Sequence, residues 1–176
     1  MTKSLPLWET ITREERYFCS FLFHDIRSNP TPFMNLLRDN GLSISPEANI
    51  IDVGYEVCFF RDTARTKLVE RQSHLEKQTF DLVLWLSDSS LVIIEAKAQQ
   101  GYGMEQLKKL EDSKSTIASS SYPISRIHLV GLVSSIYSPQ DDVRNILNPT
   151  LTWDEIMTTY LVNAHIYQRA DGLYRK

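Results

Sequence analysis

The chain has 176 residues, of which 42% are hydrophobic and 23% are charged, and its formal net charge is −3. This composition is typical of a globular protein, and a chain of this length can bury about 70% of its unfolded surface without disulfides or a structural metal. The low isoelectric point, near 5.8, excludes proteins that hold nucleic acid by bulk positive charge, because such domains usually lie above about pI 9. If the protein binds a polyanion, it must therefore do so through a small basic region of its surface and not through its overall charge.

We expect neither a signal peptide nor a transmembrane segment. The sequence has no basic start followed by an apolar core and a cleavage site, and its apolar runs fall far short of the roughly 20 residues that span a bilayer. Cys19 and Cys58 both lie among apolar residues, which predicts two reduced, buried thiols. These features predict a cytoplasmic protein without membrane contact.

Two helices are predicted at the start of the chain. Thr12 and Glu15 have the spacing of a capping box, which predicts a helix that begins there and ends before Pro30. A short second helix is predicted over residues 32–39, and the Asn-Gly pair that follows ends it.

Three strands are predicted next. Apolar and polar residues alternate from Ile51 to Phe59, which indicates a strand with one better-buried face. Two apolar runs, residues 80–86 and 91–98, are separated by a short polar turn and are therefore predicted to form a hairpin. The segment 61–78 between the first two strands is polar and breaks the pattern.

A helix, a strand and a final helix complete the pattern. The helix follows Gly103, the strand covers residues 127–134, and the last helix begins at Thr152, where Glu155 again has capping-box spacing, and ends well before Gly172. The order α, α, β, β, β, α, β, α predicts an α/β fold with a mixed four-stranded sheet flanked by helices. No repeat or linker divides the chain, so we expect a single domain over residues 1–176.

Three ionisable residues interrupt the apolar strands of the predicted hairpin. Asp81 stands at the start of one strand, while Glu95 and Lys97 project from one face of the other, since residues two apart share a face. Antiparallel pairing brings Asp81 beside Glu95 only if paired residue numbers sum to 176, as for Val83 opposite Ile93. That register needs a five-residue connection over 86–90 or a bulge.

Two carboxylates and an ammonium group in one small space suit a divalent cation. Oxygen ligands with open positions favour Mg²⁺ or Mn²⁺. A lysine beside the ion can polarise or deprotonate a water, and the ion stabilises the charge that develops on a phosphoryl oxygen. The arrangement therefore suits phosphodiester hydrolysis.

The spacing alone is a weak signal. Chance produces about one acidic-x-Lys triplet in a chain of this composition. Asp112-Ser113-Lys114 is a second such triplet, and in a predicted helix it indicates only a solvated face. What favours a catalytic site is the context. Glu95 and Lys97 lie at the end of an apolar strand, and Asp81 lies at the start of the preceding strand.

In this order of elements, Phe80-Asp81 and Glu95-Ala96-Lys97 resemble the motif of the PD-(D/E)xK nuclease superfamily, over roughly residues 12–135. The resemblance implies a restriction endonuclease-like α-β-β-β-α-β core, followed by a helical C-terminal extension over about 136–176. It also implies that Asp81, Glu95 and the backbone carbonyl of Ala96 ligate the metal, and that Lys97 positions or activates the attacking water. Phe80 replaces the proline of the family motif, at a position that varies widely.

Two further residues match the resemblance. Many members have a glutamate in the first helix, matched by Glu15 or less well by Glu14, and a glutamine in the helix after the third strand, matched by Gln106. Both have a plain alternative, because Glu15 can serve only the capping box with Thr12 and Gln106 can be an exposed helix residue. Glu56 can point toward the hairpin site or be a solvated strand carboxylate.

The segment between the first two strands is locally basic, with a charge of +2. A basic loop beside a metal site can follow a phosphate backbone, although a merely solvated loop has the same composition. The basic residues concerned are Arg61, Arg65, Lys67, Arg71 and Lys77.

The sequence thus predicts a Mg²⁺- or Mn²⁺-dependent nuclease that hydrolyses DNA with a metal-activated water. One alternative is a non-catalytic protein on the same fold that binds nucleic acid or a partner. Another is a small structural or regulatory protein with a chance triplet. Nucleic acid is the expected partner, and residues 136–176 are a candidate interface for a homodimer or a partner protein.

Overall fold

A computed structural model describes Leu7 and residues 11–64 and 78–174. In this part of the chain, helices flank one mixed five-stranded sheet, which confirms the α/β class but not the predicted count of four strands. The strands are β1 (Ile50–Val57), β2 (Phe80–Leu86), β3 (Ser90–Ala96), β4 (Arg126–Val133) and β5 (Thr150–Thr152). The α-helices are α1 (Glu15–Ser28), α2 (Pro30–Asp39), α3 (Phe59–Thr63), α4 (Met104–Ala118), α5 (Asp141–Ile146), α6 (Trp153–Thr159) and α7 (Ala164–Asp171).

The strands lie in the order β1-β2-β3-β4-β5. Strands β1, β2 and β3 pair antiparallel, and β4 and β5 continue the sheet parallel to β3. In the β2–β3 hairpin Val83 pairs with Ile93 and Trp85 with Leu91, so the predicted register is confirmed. The last cross-strand pair, Trp85 and Leu91, is joined by the five residues 86–90, which include Ser89 at a φ of 64°.

Alternation along the strands divides the core between the two faces of the sheet. On one face, side chains such as Leu82, Leu84 and Ile94 pack with α1, α2, α6 and α7. On the other, Val83 and Ile93 pack with α3, α4 and α5. Strands β2 and β3 are thus covered on both sides, which explains why their sequences are almost continuously apolar.

The start of α1 differs from the prediction. The helix begins at Glu15, with Glu14 at the N-cap and no side-chain capping bond, so the predicted Thr12–Glu15 capping box is wrong. Instead, the carboxylate of Glu15 accepts a hydrogen bond from the backbone N–H of Ala98, across the molecule. The Glu15 side chain, which the Thr-x-x-Glu spacing predicted as part of the cap, thus makes a tertiary contact instead.

The C-terminal part contains elements that periodicity did not predict. Strand β5 has three residues and α5 has six, too few to give a periodic signal. The predicted capping box between Thr152 and Glu155 is confirmed at the start of α6. This helix ends at Thr159, well before residue 172 as predicted, but it is not the last one, because a 3₁₀ turn (Leu161–Asn163) and then α7, which reaches Asp171, follow it.

The thiols and the first strand also depart in part from expectation. Cys19 is buried as predicted, whereas Cys58, which lies between the end of β1 and the start of α3, is half-buried. Both thiols are free. Among the described helices, none combines the length and apolar character needed to cross a membrane.

Candidate active site

The three predicted residues Asp81, Glu95 and Lys97 converge at the end of the β2–β3 hairpin away from its turn. Asp81 Oδ2 accepts a hydrogen bond of 2.7 Å from the backbone N–H of Ala96, which joins the start of β2 to the end of β3. Lys97 Nζ lies 3.3 Å from Glu95 Oε1. The confirmed register therefore brings two carboxylates and an ammonium group together, as the spacing predicted.

Burial dominates the electrostatics of these acids. Glu95 is 5% exposed, and this burial, reinforced by the nearby charge of Asp81, raises its pKa to about 8 against the opposing effect of Lys97. Burial also raises the pKa of Asp81 to about 6, although the Ala96 N–H and Lys97 act in the opposite direction. The two acids thus resist full ionisation while no cation lies between them.

Gln106 lies against the same carboxylate. Its side-chain Nε2 donates a hydrogen bond to Glu95 Oε1, the oxygen that also pairs with Lys97. Glu95 Oε2 is buried and has no hydrogen-bond partner among the described residues. One oxygen of Glu95 is therefore held in place, and the other is available to a ligand.

Glu15 and Ala96 lie at the same end of the sheet. Glu15 Oε1 is 3.3 Å from the backbone nitrogen of Ala98, just beyond the end of β3. Ala96 is buried and donates its N–H to Asp81, and the ligand role of its carbonyl stays a prediction. The structure thus brings the five predicted catalytic residues to the same end of the sheet. They are Glu15, Asp81, Glu95, Lys97 and Gln106.

A cavity of about 360 Å³, called here the carboxylate cavity, opens at these residues. Its wall carries five acidic side chains, one arginine and one hydroxyl. The lining residues are Glu14, Glu15, Arg16, Glu56, Thr79, Asp81 and Glu95. Such a surface attracts cations.

Glu56 is in the wall of the carboxylate cavity, which favours the first of its two sequence interpretations. Its backbone has a φ of 51°, an uncommon conformation for a residue with a side chain. Its carboxylate pairs with Arg16 at 3.3 Å. Sequence reasoning did not identify Arg16, although it directly follows the candidate Glu15.

A larger cavity of about 830 Å³ adjoins the first and shares Arg16, Thr79 and Glu95 with it. It reaches from Glu95, at the end of β3, to the first turn of α4. The remaining lining residues are Gln78, Gln100, Gly101, Tyr102, Gly103, Glu105, Gln106 and Lys109.

Two aromatic residues hold the backbone of the site in place, and motif spacing predicted neither contact. The Tyr102 hydroxyl donates to the carbonyl of Glu95 at 2.7 Å and accepts from the N–H of Leu132 at 3.0 Å, which ties β3 to β4. The indole N–H of Trp153 donates to the carbonyl of Lys97 at 3.0 Å. Lys97 Nζ also lies 5.9 Å from the centre of the Tyr102 ring, within cation–π range.

Of the five predicted basic residues, the structure describes Arg61, which lines neither cavity. Arg61 lies in α3, is exposed and pairs with its neighbour Asp62 at 3.0 Å. Arg65, Lys67, Arg71 and Lys77 lie outside the described residues.

The donor set of the site is made of oxygen atoms. In the part of the chain that the structure describes, no group of three or more His, Cys, Asp or Glu residues is arranged to hold a metal ion as it stands. The buried, unpartnered Glu95 Oε2 beside the Asp81 carboxylate is the feature that fits a hard divalent cation.

Comparisons with known proteins do not identify a relative. The chain matches no protein-family model, and no curated protein and no solved structure matches it. The geometry and chemistry of the site are therefore what bears on function.

Proposed function

We propose that the protein is a metal-dependent nuclease of the PD-(D/E)xK type that hydrolyses phosphodiester bonds in DNA. The observation that carries this proposal is the convergence of Asp81, Glu95 and Lys97 at one end of the hairpin, with the two carboxylates on the wall of a cavity. The order of α1, β1, β2, β3, α4 and β4, with β4 parallel to β3, supports a restriction endonuclease-like core.

Asp81, Glu95 and the carbonyl of Ala96 would hold Mg²⁺ or Mn²⁺. Leaving a buried carboxylate oxygen without a partner costs free energy, and a cation at Glu95 Oε2 removes that cost. When bound, the ion lowers the pKa of a water and stabilises negative charge on the phosphoryl oxygens.

The other side chains orient the reacting groups. Lys97 is held by Glu95 and by the face of Tyr102, so its ammonium group is positioned beside the carboxylates to orient the attacking water. Gln106 holds Glu95 Oε1, which leaves Oε2 turned to the ligand. Glu15, anchored at Ala98, adds a further acceptor for a proton of the water.

Cleavage of plasmid and single-stranded DNA by the purified protein in Mg²⁺ or Mn²⁺ tests the proposal. We expect wild type to cut and chelation by EDTA to stop it. Lys97→Ala should lose most of the activity, because the attacking water is no longer oriented. Lys114→Ala is the matched control, because it changes the lysine of the second acidic-x-Lys triplet, which is exposed on α4.

Two outcomes contradict the nuclease proposal. One is the absence of cleavage of either DNA by wild type, and the other is equal cleavage by wild type and Lys97→Ala. Binding of DNA without cleavage would favour the non-catalytic alternative on the same fold.

A further inference from the structure

The hydroxyl group of Tyr102 links strands β3 and β4 at Glu95. Ala96 pairs with Leu132 in the parallel ladder, so the N–H of Leu132 and the carbonyl of Glu95 face each other across the two strands. The Tyr102 hydroxyl contacts both groups, because it accepts from that N–H at 3.0 Å and donates to that carbonyl at 2.7 Å. A side chain from the loop after β3 thus connects the two strands at the residue that carries the proposed metal ligand.

This hydroxyl occupies space that Gly131 leaves open. Gly131 is the β4 residue paired with Glu95, and paired residues direct their side chains to the same face of a sheet. A Cβ atom at Gly131 would lie 3.0 Å from the Tyr102 hydroxyl oxygen, closer than an ordinary van der Waals contact. The hydroxyl therefore lies on the face of the sheet that carries the Glu95 side chain, where a larger residue at position 131 would displace it.

The ring of Tyr102 contacts the lysine of the motif. Its centre is 5.9 Å from Lys97 Nζ, which itself lies 3.3 Å from Glu95 Oε1. The hydroxyl thus holds the backbone of Glu95, while the electron-rich face of the ring holds the ammonium group beside the Glu95 carboxylate. One side chain therefore limits the positions of both charged groups.

A second tyrosine keeps Tyr102 in this position. The Tyr137 ring packs edge-on against the Tyr102 ring, with the ring centroids 6.4 Å apart. Tyr137 also lies closely against Gly101, where an added Cβ atom would be 2.6 Å from a ring carbon. The loop that carries Tyr102 is thus packed in place, so its two contacts are formed before any ligand binds.

We infer that Tyr102 is a positioning residue of the proposed reaction, which holds Glu95 and Lys97 in the geometry that the metal ion and the attacking water require. This inference rests on the proposed nuclease function and deepens it. Tyr102 acts through Glu95 and Lys97 and needs no contact of its own with the ion or the phosphate. Loss of such a supporting contact typically lowers metal affinity or activity by about 10- to 100-fold.

Tyr102→Phe removes the hydroxyl and keeps the ring. Tyr160→Phe is the matched control, because the Tyr160 hydroxyl also donates to a backbone carbonyl, that of Asn29, at 2.9 Å and beyond the C-terminal end of α1. Both variants lose a hydrogen bond between a hydroxyl and the backbone, so both should melt at a lower temperature than wild type. Loss of stability alone therefore cannot separate them.

The measurements are the Kd for Mn²⁺, by electron paramagnetic resonance of the free ion, and kcat and KM for cleavage of DNA at saturating Mn²⁺. We expect Tyr102→Phe to raise the Kd for Mn²⁺ and to lower kcat, each by about tenfold or more, without a change in the KM for DNA. Tyr160→Phe should have the values of wild type in all three.

Gly131→Ala tests the same contact from the opposite strand. Its methyl group must displace the Tyr102 hydroxyl by a few tenths of an ångström, and it also meets Thr150, at 3.2 Å, whether or not the hydroxyl is present. A double-mutant cycle removes the contribution of Thr150. We expect Gly131→Ala to raise the Kd for Mn²⁺ about threefold more in wild type than in the Tyr102→Phe background. If Tyr102→Phe does not fold, weaker Mn²⁺ binding by Gly131→Ala supports the inference and unchanged binding overturns it.

Three outcomes overturn the inference. They are equal Mn²⁺ affinity and kcat in Tyr102→Phe and wild type, an equal loss in Tyr160→Phe, and additive effects in the cycle. The nuclease proposal survives each of them if wild type cuts DNA. Absence of cleavage by wild type overturns the nuclease proposal, whereas Mn²⁺ affinity that depends on Tyr102 still supports its positioning role at the metal site.

Discussion

Burial of Glu95 in the folded protein disfavours its charged form, whereas binding of a cation requires that form. Its pKa is raised from 4.5 to about 8, mainly by burial. An acid with a higher pKa in the folded state binds its proton more tightly when folded, so it costs no stability while it stays protonated in both states. The cost begins above the unfolded pKa, near 4.5, and grows until the pH passes the folded value, near 8.

We therefore expect Glu95→Gln to raise the melting temperature of the metal-free protein, and to raise it more at pH 8 than at pH 5. Gln retains the shape of the side chain and has no charge to bury. Thermal melts in EDTA across this pH range measure the effect. Glu111→Gln on the exposed face of α4 should follow wild type, and a gain that does not grow with pH would contradict the assigned cause.

At the scale of the element, the two Thr-x-x-Glu spacings of this chain have different outcomes. Thr152 and Glu155 form a complete capping box at the start of α6. Thr12 and Glu15 do not, because α1 begins at Glu15 and the carboxylate binds Ala98. Glu155 also accepts a hydrogen bond from the distant Asn40 side chain, but it does so through Oε1, while Oε2 accepts from the backbone N–H of Thr152. The spacing alone therefore does not decide whether a cap forms.

This contrast predicts unequal losses of stability. Thr152→Ala should lower the free energy of unfolding by about 1 kcal/mol, the usual value of an N-cap side chain. Thr12→Ala should change it by less than about 0.5 kcal/mol, since no capping bond is lost. Urea denaturation of both variants makes the comparison, and similar losses would mean that the Thr12 side chain has a structural role after all.

The β2–β3 hairpin and the acids at its end could be predicted because the evidence for them, two apolar runs separated by a short turn, lies within a short stretch of sequence. The apolar runs of β2 and β3 predicted the hairpin, and the register that would put Asp81 beside Glu95 could be named from the spacing, but the structure was needed to show that it is the one adopted. Tyr102 and Trp153 could not be found in this way, because their contacts with Glu95, Leu132 and Lys97 join residues in different elements. Strand β5 could not be predicted because its three residues are too few to show an alternation of apolar and polar side chains.

At the scale of the whole molecule, the site is coupled to the stability of the entire fold. A cation that binds only the folded protein stabilises it, by about 2.7 kcal/mol at a free concentration one hundred times its Kd. We expect Mg²⁺ or Mn²⁺ to raise the melting temperature, because either ion relieves the buried charge of Asp81 and Glu95.

Asp81→Asn should remove most of this shift. Asp112→Asn, in the second acidic-x-Lys triplet, should leave it unchanged. Melts with and without each cation provide the measurement. An undiminished shift in Asp81→Asn would locate the cation elsewhere on the molecule.

The contact between Trp153 and the carbonyl of Lys97 has a consequence for the order of synthesis. Ribosomes make a protein from its N-terminus, so the hairpin with Asp81, Glu95 and Lys97 leaves the exit tunnel well before Trp153. Until then the Lys97 carbonyl lacks its indole donor, and Phe18 lacks the ring that packs against it at 6.0 Å. The site is completed only late in translation, so a nascent chain that stalls before residue 153 carries the acidic motif without its full support.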